Sequence, residues 1–257
     1  MTRFIFTLVF CLIYICLTQQ NVPAAGQPLP SCDSCLQFER LNTQIRDRKI
    51  SRSEALKRLR MLLPEIKSYA ITNGCREYRP EETVFPLKGY DVVSARNRLG
   101  ADYKPGGYDF FDGNRHGGHP SFDLFIRDRN QDSVDDSTGR QVSVVSMTGG
   151  IVVAAESEWD RSSRLRGGKY IWIYDIYNEA LIYYAHNDAL MVKTGEIVTP
   201  GQVIAMVGRT GLNAYKRRSP THLHLTCLRI TNDYPRPVNI FRTLQQARRL
   251  PAAINPD

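Results

Sequence analysis

Apolar positions change their spacing along the chain. Residues 4–17 are almost continuously apolar behind Arg3, a run too short to span a bilayer comfortably. Over residues 35–50 the apolar side chains Leu36, Leu41 and Ile45 recur broadly at helical spacing. A second helical face follows, with Leu56, Leu59, Leu63, Ile66 and Ala70. Ser51-Arg52-Ser53-Glu54 reads as a capping box for that helix, Pro64 is expected to bend it, and Gly74 stands where a C-terminal cap belongs. Two amphipathic helices joined by a short turn predict an antiparallel hairpin. From Thr83 onward, short β-branched and aromatic runs alternate with Gly, Pro, Asn and Asp turns. Strands are expected at 141–146, 150–154, 170–177, 181–186 and 203–207, with a turn at Asn178-Glu179. A helical period returns only at 240–249. The predicted architecture is mainly β: an antiparallel β-sheet domain preceded by a small α-helical hairpin.

Residues 1–24 fit an export signal, with cleavage expected after Ala24, where Val22 and Ala24 occupy the small-residue positions. Two other readings stay open. The segment could stay uncleaved as an anchor. Leu29-Pro30-Ser31-Cys32 also loosely matches a lipoprotein box, although 11 residues separate it from the apolar run. All three send the rest of the chain out of the cytoplasm, to the periplasm, the cell envelope or the medium. Membrane association is expected only if the signal is uncleaved or Cys32 is lipidated.

Composition narrows the class. With 42% hydrophobic and 23% charged residues the chain is an ordinary globular mixture, not a disordered, collagen-like or polytopic membrane protein. Lys and Arg number 34 against 26 Asp and Glu, a net charge of +8 that suits an acidic partner. Nucleic acid is not expected, because no finger, helix-turn-helix or RNP pattern is present. Of six Cys, Cys11 and Cys16 lie in the signal, leaving Cys32, Cys35, Cys75 and Cys227 in an export context that permits disulfides. No βαβ pattern surrounds Cys32-x-x-Cys35, so a structural bridge is preferred to a redox pair. Antiparallel helices would bring Cys35 close to Cys75, with Cys32 competing for it. Cys227 shares a strand face with Leu223 and Leu225 and is expected to stay a buried thiol.

The five His carry the candidate chemistry. In His222-Leu223-His224 two imidazoles project from one face of a strand. They could both bind a metal, or one could bind while the other moves protons. If residues 119–126 are extended, His119, Ser121 and Asp123 share one face, while Phe122, Leu124 and Ile126 share the other. Two His and one Asp make three protein ligands and leave a fourth zinc position open, as a catalytic site requires.

At these motifs the chain resembles the lysostaphin-type (LytM-domain) zinc endopeptidases that cut peptidoglycan peptides. His119-x-x-x-Asp123 is similar to the first metal motif of that family, Gly149-Gly150-Ile151-Val152-Val153 to the strand that comes after it, and Tyr184-Ala185-His186-Asn187 to its Tyr-Gly-His element. The segments 192–198 and 201–205 resemble its turn-and-strand repeats, and Gly208-Arg209-Thr210-Gly211 leads to Thr221-His222-Leu223-His224-Leu225. The resemblance covers most of residues 83–231 and excludes the helical hairpin. It implies that His119, Asp123 and His224 hold one zinc ion and that His222 and His186 are the catalytic histidines. His222 is the preferred base and His186 the oxyanion partner, with the two roles exchangeable. It leaves His116 as a loop residue. Departures are Ala185 before His186, Pro120-Ser121-Phe122 between the first ligands, and a longer basic stretch around Lys216-Arg217-Arg218. The implied division is a signal at 1–24, a hairpin extension at 32–78 and a LytM-type peptidase domain at 83–243.

Asp128, Asn130 and Asp132 begin like a calcium loop, but Ser133 stands where the EF-hand turn needs Gly, and a local turn is preferred. Tyr170, Trp172 and Tyr174 alternate on one strand face, and with Tyr184 they could line a peptide groove; a core role is preferred for Trp172. The expected function is an exported zinc endopeptidase acting on peptidoglycan stems or cross-links. The alternative is a non-catalytic wall-binding or activator module on the same fold, which should have lost zinc ligands.

Overall fold

A computed structural model describes residues 31–94 and 102–252, so the expected export signal and its cleavage point lie outside the described residues. Helix α1 (Asp33–Arg46) is capped by Cys32, and it stops short of the predicted end because Asp47 caps it and Arg48 turns left-handed at φ 57°. Helix α2 (Arg52–Thr72) starts at Ser51, whose hydroxyl accepts the Glu54 N–H, and continues through Pro64. Gly74 lies just past its end at φ 92°, a conformation that favours glycine. No helix among the described residues is long and apolar enough to cross a membrane.

The remainder is mainly antiparallel β structure. The strands are β1 (Ser121–Phe125), β2 (Val134–Asp135), β3 (Arg140–Gln141), β4 (Ser143–Val145), β5 (Gly150–Glu156) and β6 (Lys169–Asp175). They continue as β7 (Ala180–Leu190), β8 (Ile197–Val198), β9 (Val203–Val207), β10 (His222–Thr231) and β11 (Tyr234–Pro237), before the short helix α3 (Phe241–Gln246). The main sheet runs β1-β10-β7-β6-β5-β8, with β11 beside β10, and β9 bridging β7 to β4. The strands β2 and β3 form a separate ribbon.

Alternation along the strands builds two cores. Ile171, Ile173, Ile182, Leu223 and Leu225 face one way, toward Phe85, Leu87, Val144 and Leu244. Tyr170, Trp172, Tyr174, Leu181 and Tyr183 face the other way, where Phe38, Leu41, Leu59 and Ile66 of the helical hairpin cover them. The hairpin is therefore packed onto the sheet face that also carries His222 and His224. Trp172 is a core residue, edge-on to Phe110 and 4.5 Å from the Tyr183 ring.

The cysteine pairing differs from the expected one. Cys32 and Cys35 are bonded to each other and Cys75 is free. The cap of α1 sets the two Cα atoms 5.2 Å apart, within bridging reach. Cys75 instead lies buried beyond the end of α2, its carbonyl accepting the Tyr177 hydroxyl at 3.2 Å. Burial, with the charge of Asp175, pushes the thiols of Cys75 and Cys227 up to about 11 and about 12. Cys227 is a buried thiol on the Leu223 and Leu225 side of the sheet.

Candidate metal centre

Strand register brings the first residues together. Antiparallel pairing of β1 with β10 sets Asp123 opposite His224 and Phe125 opposite His222. The Asp123 Oδ1 atom is 3.0 Å from His224 Nδ1, 3.3 Å from His119 Nε2 and 3.7 Å from His222 Nε2. His119 precedes β1 instead of lying within it, and mutual backbone hydrogen bonds to Lys104 hold it at 2.6 and 2.7 Å.

His186 joins them by a different route. Strict alternation would send its side chain to the face opposite Tyr183, away from the site. Between β6 and β7, Lys169 pairs with Asn187 and Tyr170 with Ala185, leaving His186 as an extra residue at φ 68°. This bulge turns the imidazole toward β10, where its ring centroid is 4.9 Å from that of His222 and 5.3 Å from that of His224. A left-handed non-glycine residue at such a place is a strain that functional sites commonly store.

The rings are oriented by backbone carbonyls. His119 Nδ1 donates to the Asp102 carbonyl at 2.8 Å, His186 Nδ1 to that of Thr210 at 2.8 Å, and His222 Nδ1 to that of Pro220 at 2.7 Å. A carbonyl only accepts, so each neutral ring carries its proton at Nδ1 and presents the Nε2 lone pair. His224 is turned the other way, with Nδ1 toward Asp123. Asp102 also accepts the Asp123 N–H through Oδ2 at 2.7 Å, fixing the backbone under the carboxylate. Gly211 permits the Thr210 contact: at φ 113° its absent Cβ would lie 2.8 Å from His186 Nδ1.

Crowding sets the electrostatics. Desolvation works against the Asp123 carboxylate, yet the imidazoles of His119, His224 and His222 around it hold it well below the usual carboxylate range. Desolvation, reinforced by His222 and His224, keeps His186 well below the usual imidazole range. Desolvation likewise lowers His224, against the pull of Asp123. For His119 desolvation is outweighed by Asp123, and its value rises.

Two overlapping groups have ligand atoms within 4.8 Å of one another: His119, Asp123 and His224, and His186, His222 and His224. The first set, two imidazoles with one carboxylate, suits tetrahedral zinc with one position open, and the anchored ring of His119 and the Asp123 backbone are what such ligands require around them. His116 belongs to neither; its ring is edge-on to Tyr108 and its Nδ1 meets the Gly117 carbonyl.

The acidic loop is internally hydrogen-bonded. The Asp128 carboxylate accepts the N–H groups of Gln131, Asp132 and Ser133 and the Thr221 hydroxyl, while Asn130 donates to Asp132. This is the local-turn arrangement preferred at the sequence level over a calcium loop. Sequence reasoning missed Asp102 and the Thr210 and Pro220 carbonyls, since a carbonyl leaves no signature in residue type. It also chose Tyr184 as a groove aromatic where Tyr183 faces the site; Tyr184 is fully buried on the far side, its hydroxyl accepting the Met147 N–H.

Residues 129–237 match the family model described as Peptidase family M23. The match includes His186, His222 and His224 and begins after His119 and Asp123; the β1–β10 pairing sets Asp123 opposite His224. Similar solved structures include the catalytic domain of the antimicrobial peptidase lysostaphin from Staphylococcus simulans, at 22% identity over 56% of this chain and 90% of that one, TM-score 0.37. A candidate glycyl-glycine endopeptidase lytM from Ruminococcus gnavus matches at 19% identity over 88% and 93%, TM-score 0.43. A zinc-containing peptidase from Vibrio cholerae matches at 22% identity over 65% and 41%, TM-score 0.35. No curated protein matches.

Proposed function

We propose that this chain is an exported zinc endopeptidase that hydrolyses peptide bonds in peptidoglycan stems or cross-links. One observation carries the reading: His119, Asp123, His186, His222 and His224 converge from separate chain segments, three of them with Nε2 lone pairs exposed by backbone hydrogen bonds. The Cys32–Cys35 bridge fits an oxidising compartment, and the net charge of +8 fits a carboxylate-rich polymer.

His119 Nε2, Asp123 Oδ1 and His224 Nδ1 would hold the metal. Bound zinc supplies Lewis acidity toward a carbonyl and lowers the pKa of a coordinated water to about 7. His222 accepts the attacking water's proton at Nε2 and returns it to the leaving amine. His186 is a second acceptor there. Its Nδ1–H is committed to Thr210, so the neutral ring can orient a water but has no N–H for an oxyanion. The ring that has gained the proton becomes the oxyanion donor, which keeps the two roles exchangeable.

The test is incubation of the mature chain with purified peptidoglycan, with and without a chelator, and mass analysis of released fragments. Chelator-sensitive peptide cleavage is expected. Stoichiometric zinc with no cleavage of any wall preparation would favour the wall-binding module instead.

A further inference from the structure

Beside His224, on the hairpin side of the sheet, lies a slot of about 90 Å³. Thr226, Trp172 and Tyr183 floor it, and the last turn of α1, with Asn42, Ile45 and Arg46, closes the far side. That wall is firmly seated. Glu39 accepts the Ala155 N–H at 3.0 Å and the Thr194 hydroxyl at 2.5 Å. Asn42 donates to the Tyr170 hydroxyl at 3.0 Å, and Arg46 pairs with Glu156 at 2.8 Å.

The polar groups of the slot are unevenly matched. Arg46 is neutralised by Asp47 and Glu156. Arg166 is not: its Nη1 donates to the carbonyls of Asn114 and His116 at 3.3 and 3.0 Å, and no carboxylate among the described residues pairs with it. The hydroxyls of Tyr108 and Tyr183, which also line the slot, have no hydrogen-bond partner among the described residues. A guanidinium and two phenols are donors, and a donor-rich slot with an unpaired cation selects an anionic acceptor. The slot has room for several waters, and so for a carboxylate on a methyl-bearing carbon.

We propose that this slot receives a carboxylate of the peptide substrate next to the metal centre, with Arg166 as its specificity-determining residue and α1 as the wall that limits the size of the group it holds. The proposal rests on reading that centre as a peptidase site. It makes the helical hairpin, which lies outside the family match, part of the substrate site. The carboxylate belongs to the end of a peptide or to an acidic side chain.

Calorimetric titration of the zinc-loaded full chain with acetyl-D-Ala-D-Ala, its C-terminal amide, and an amide-ended acetyl-D-Glu-D-Ala tests it. The free acid should bind about tenfold tighter than the amide, the usual scale of a charged hydrogen bond. Comparable binding of the glutamyl probe assigns the slot to a side-chain carboxylate, and its failure assigns it to a chain end. Arg166→Gln should bring the acid-to-amide ratio close to one. Equal loss for both probes would mean that Arg166 only holds the 114–116 backbone, which overturns the proposal. So would equal binding of acid and amide by the unmodified chain, or binding of neither acid. Acid preference without cleavage of wall polymer would keep the slot and sink the peptidase reading. Cleavage without acid preference would do the reverse.

Discussion

At the scale of single residues, the proposed ligand and proton-transfer roles separate by distance from the Asp123 carboxylate. His119 and His224 each aim a nitrogen at the Asp123 carboxylate within 3.3 Å. His222 stands farther off at 3.7 Å, and the His186 ring packs against the two rings of β10. Replacing His119, Asp123 or His224 by Ala should therefore remove zinc and activity together. His222→Ala and His186→Ala should keep near-stoichiometric zinc and a normal fold while losing hydrolysis by about 100- to 10,000-fold. Metal analysis and peptidoglycan cleavage on the same preparations decide the matter. Zinc lost from His222→Ala but retained by His119→Ala would assign the metal to the second group, His186, His222 and His224.

At the scale of elements, caps and alternation were legible and polar docking was not. Ser51, Glu54 and Gly74 mark the ends of α2 because each satisfies a helix terminus through local chemistry. The period of two places His222 and His224 on one face of β10, with Leu223 and Leu225 on the other. His186 was identified by resemblance alone, since its bulge depends on β6 across the ladder. The seating of α1 on β5 was invisible as well: Glu39, Asn42 and Arg46 lie outside the apolar positions that the helical period marks, yet all three bond to the sheet or its loops. The disulfide was misplaced because hairpin geometry brings helix ends together, whereas the cap turn acts over three residues. This changes the expected energetics. A Cys35–Cys75 bridge would close a long loop worth about 3–4 kcal/mol, whereas a four-residue loop gives roughly 2 kcal/mol in the chain-entropy model. The double replacement Cys32→Ser and Cys35→Ser should lower unfolding stability in urea by about that smaller amount. Cys75→Ser should leave the disulfide intact in peptide mapping. A Cys75 peptide found crosslinked would restore the longer loop.

At the scale of the molecule, the two apolar cores are expected to hold the fold without the metal. These cores fill the two faces of the sheet. Strands β1 and β10 are already paired over five positions, from Ser121 opposite Thr226 to Phe125 opposite His222. The metal-free chain should therefore keep its far-UV circular dichroism and melt as a folded protein. Zinc held by the proposed ligands would bind only the folded arrangement, because these come from segments about 100 residues apart, and so it should raise the melting temperature by mass action. At a free concentration of 100 times Kd the gain is about 2.7 kcal/mol, or roughly 5–10 °C for a chain of this size. The gain should fade on acidification through the imidazole range near 6.5, because ligand nitrogens must be unprotonated to bind metal. His222→Ala should preserve the shift, and His119→Ala should abolish it. Thermal scans across zinc concentration and pH measure this without any assay of hydrolysis. A metal-free chain that is already unfolded would show that the two cores do not suffice and that the centre is part of the scaffold.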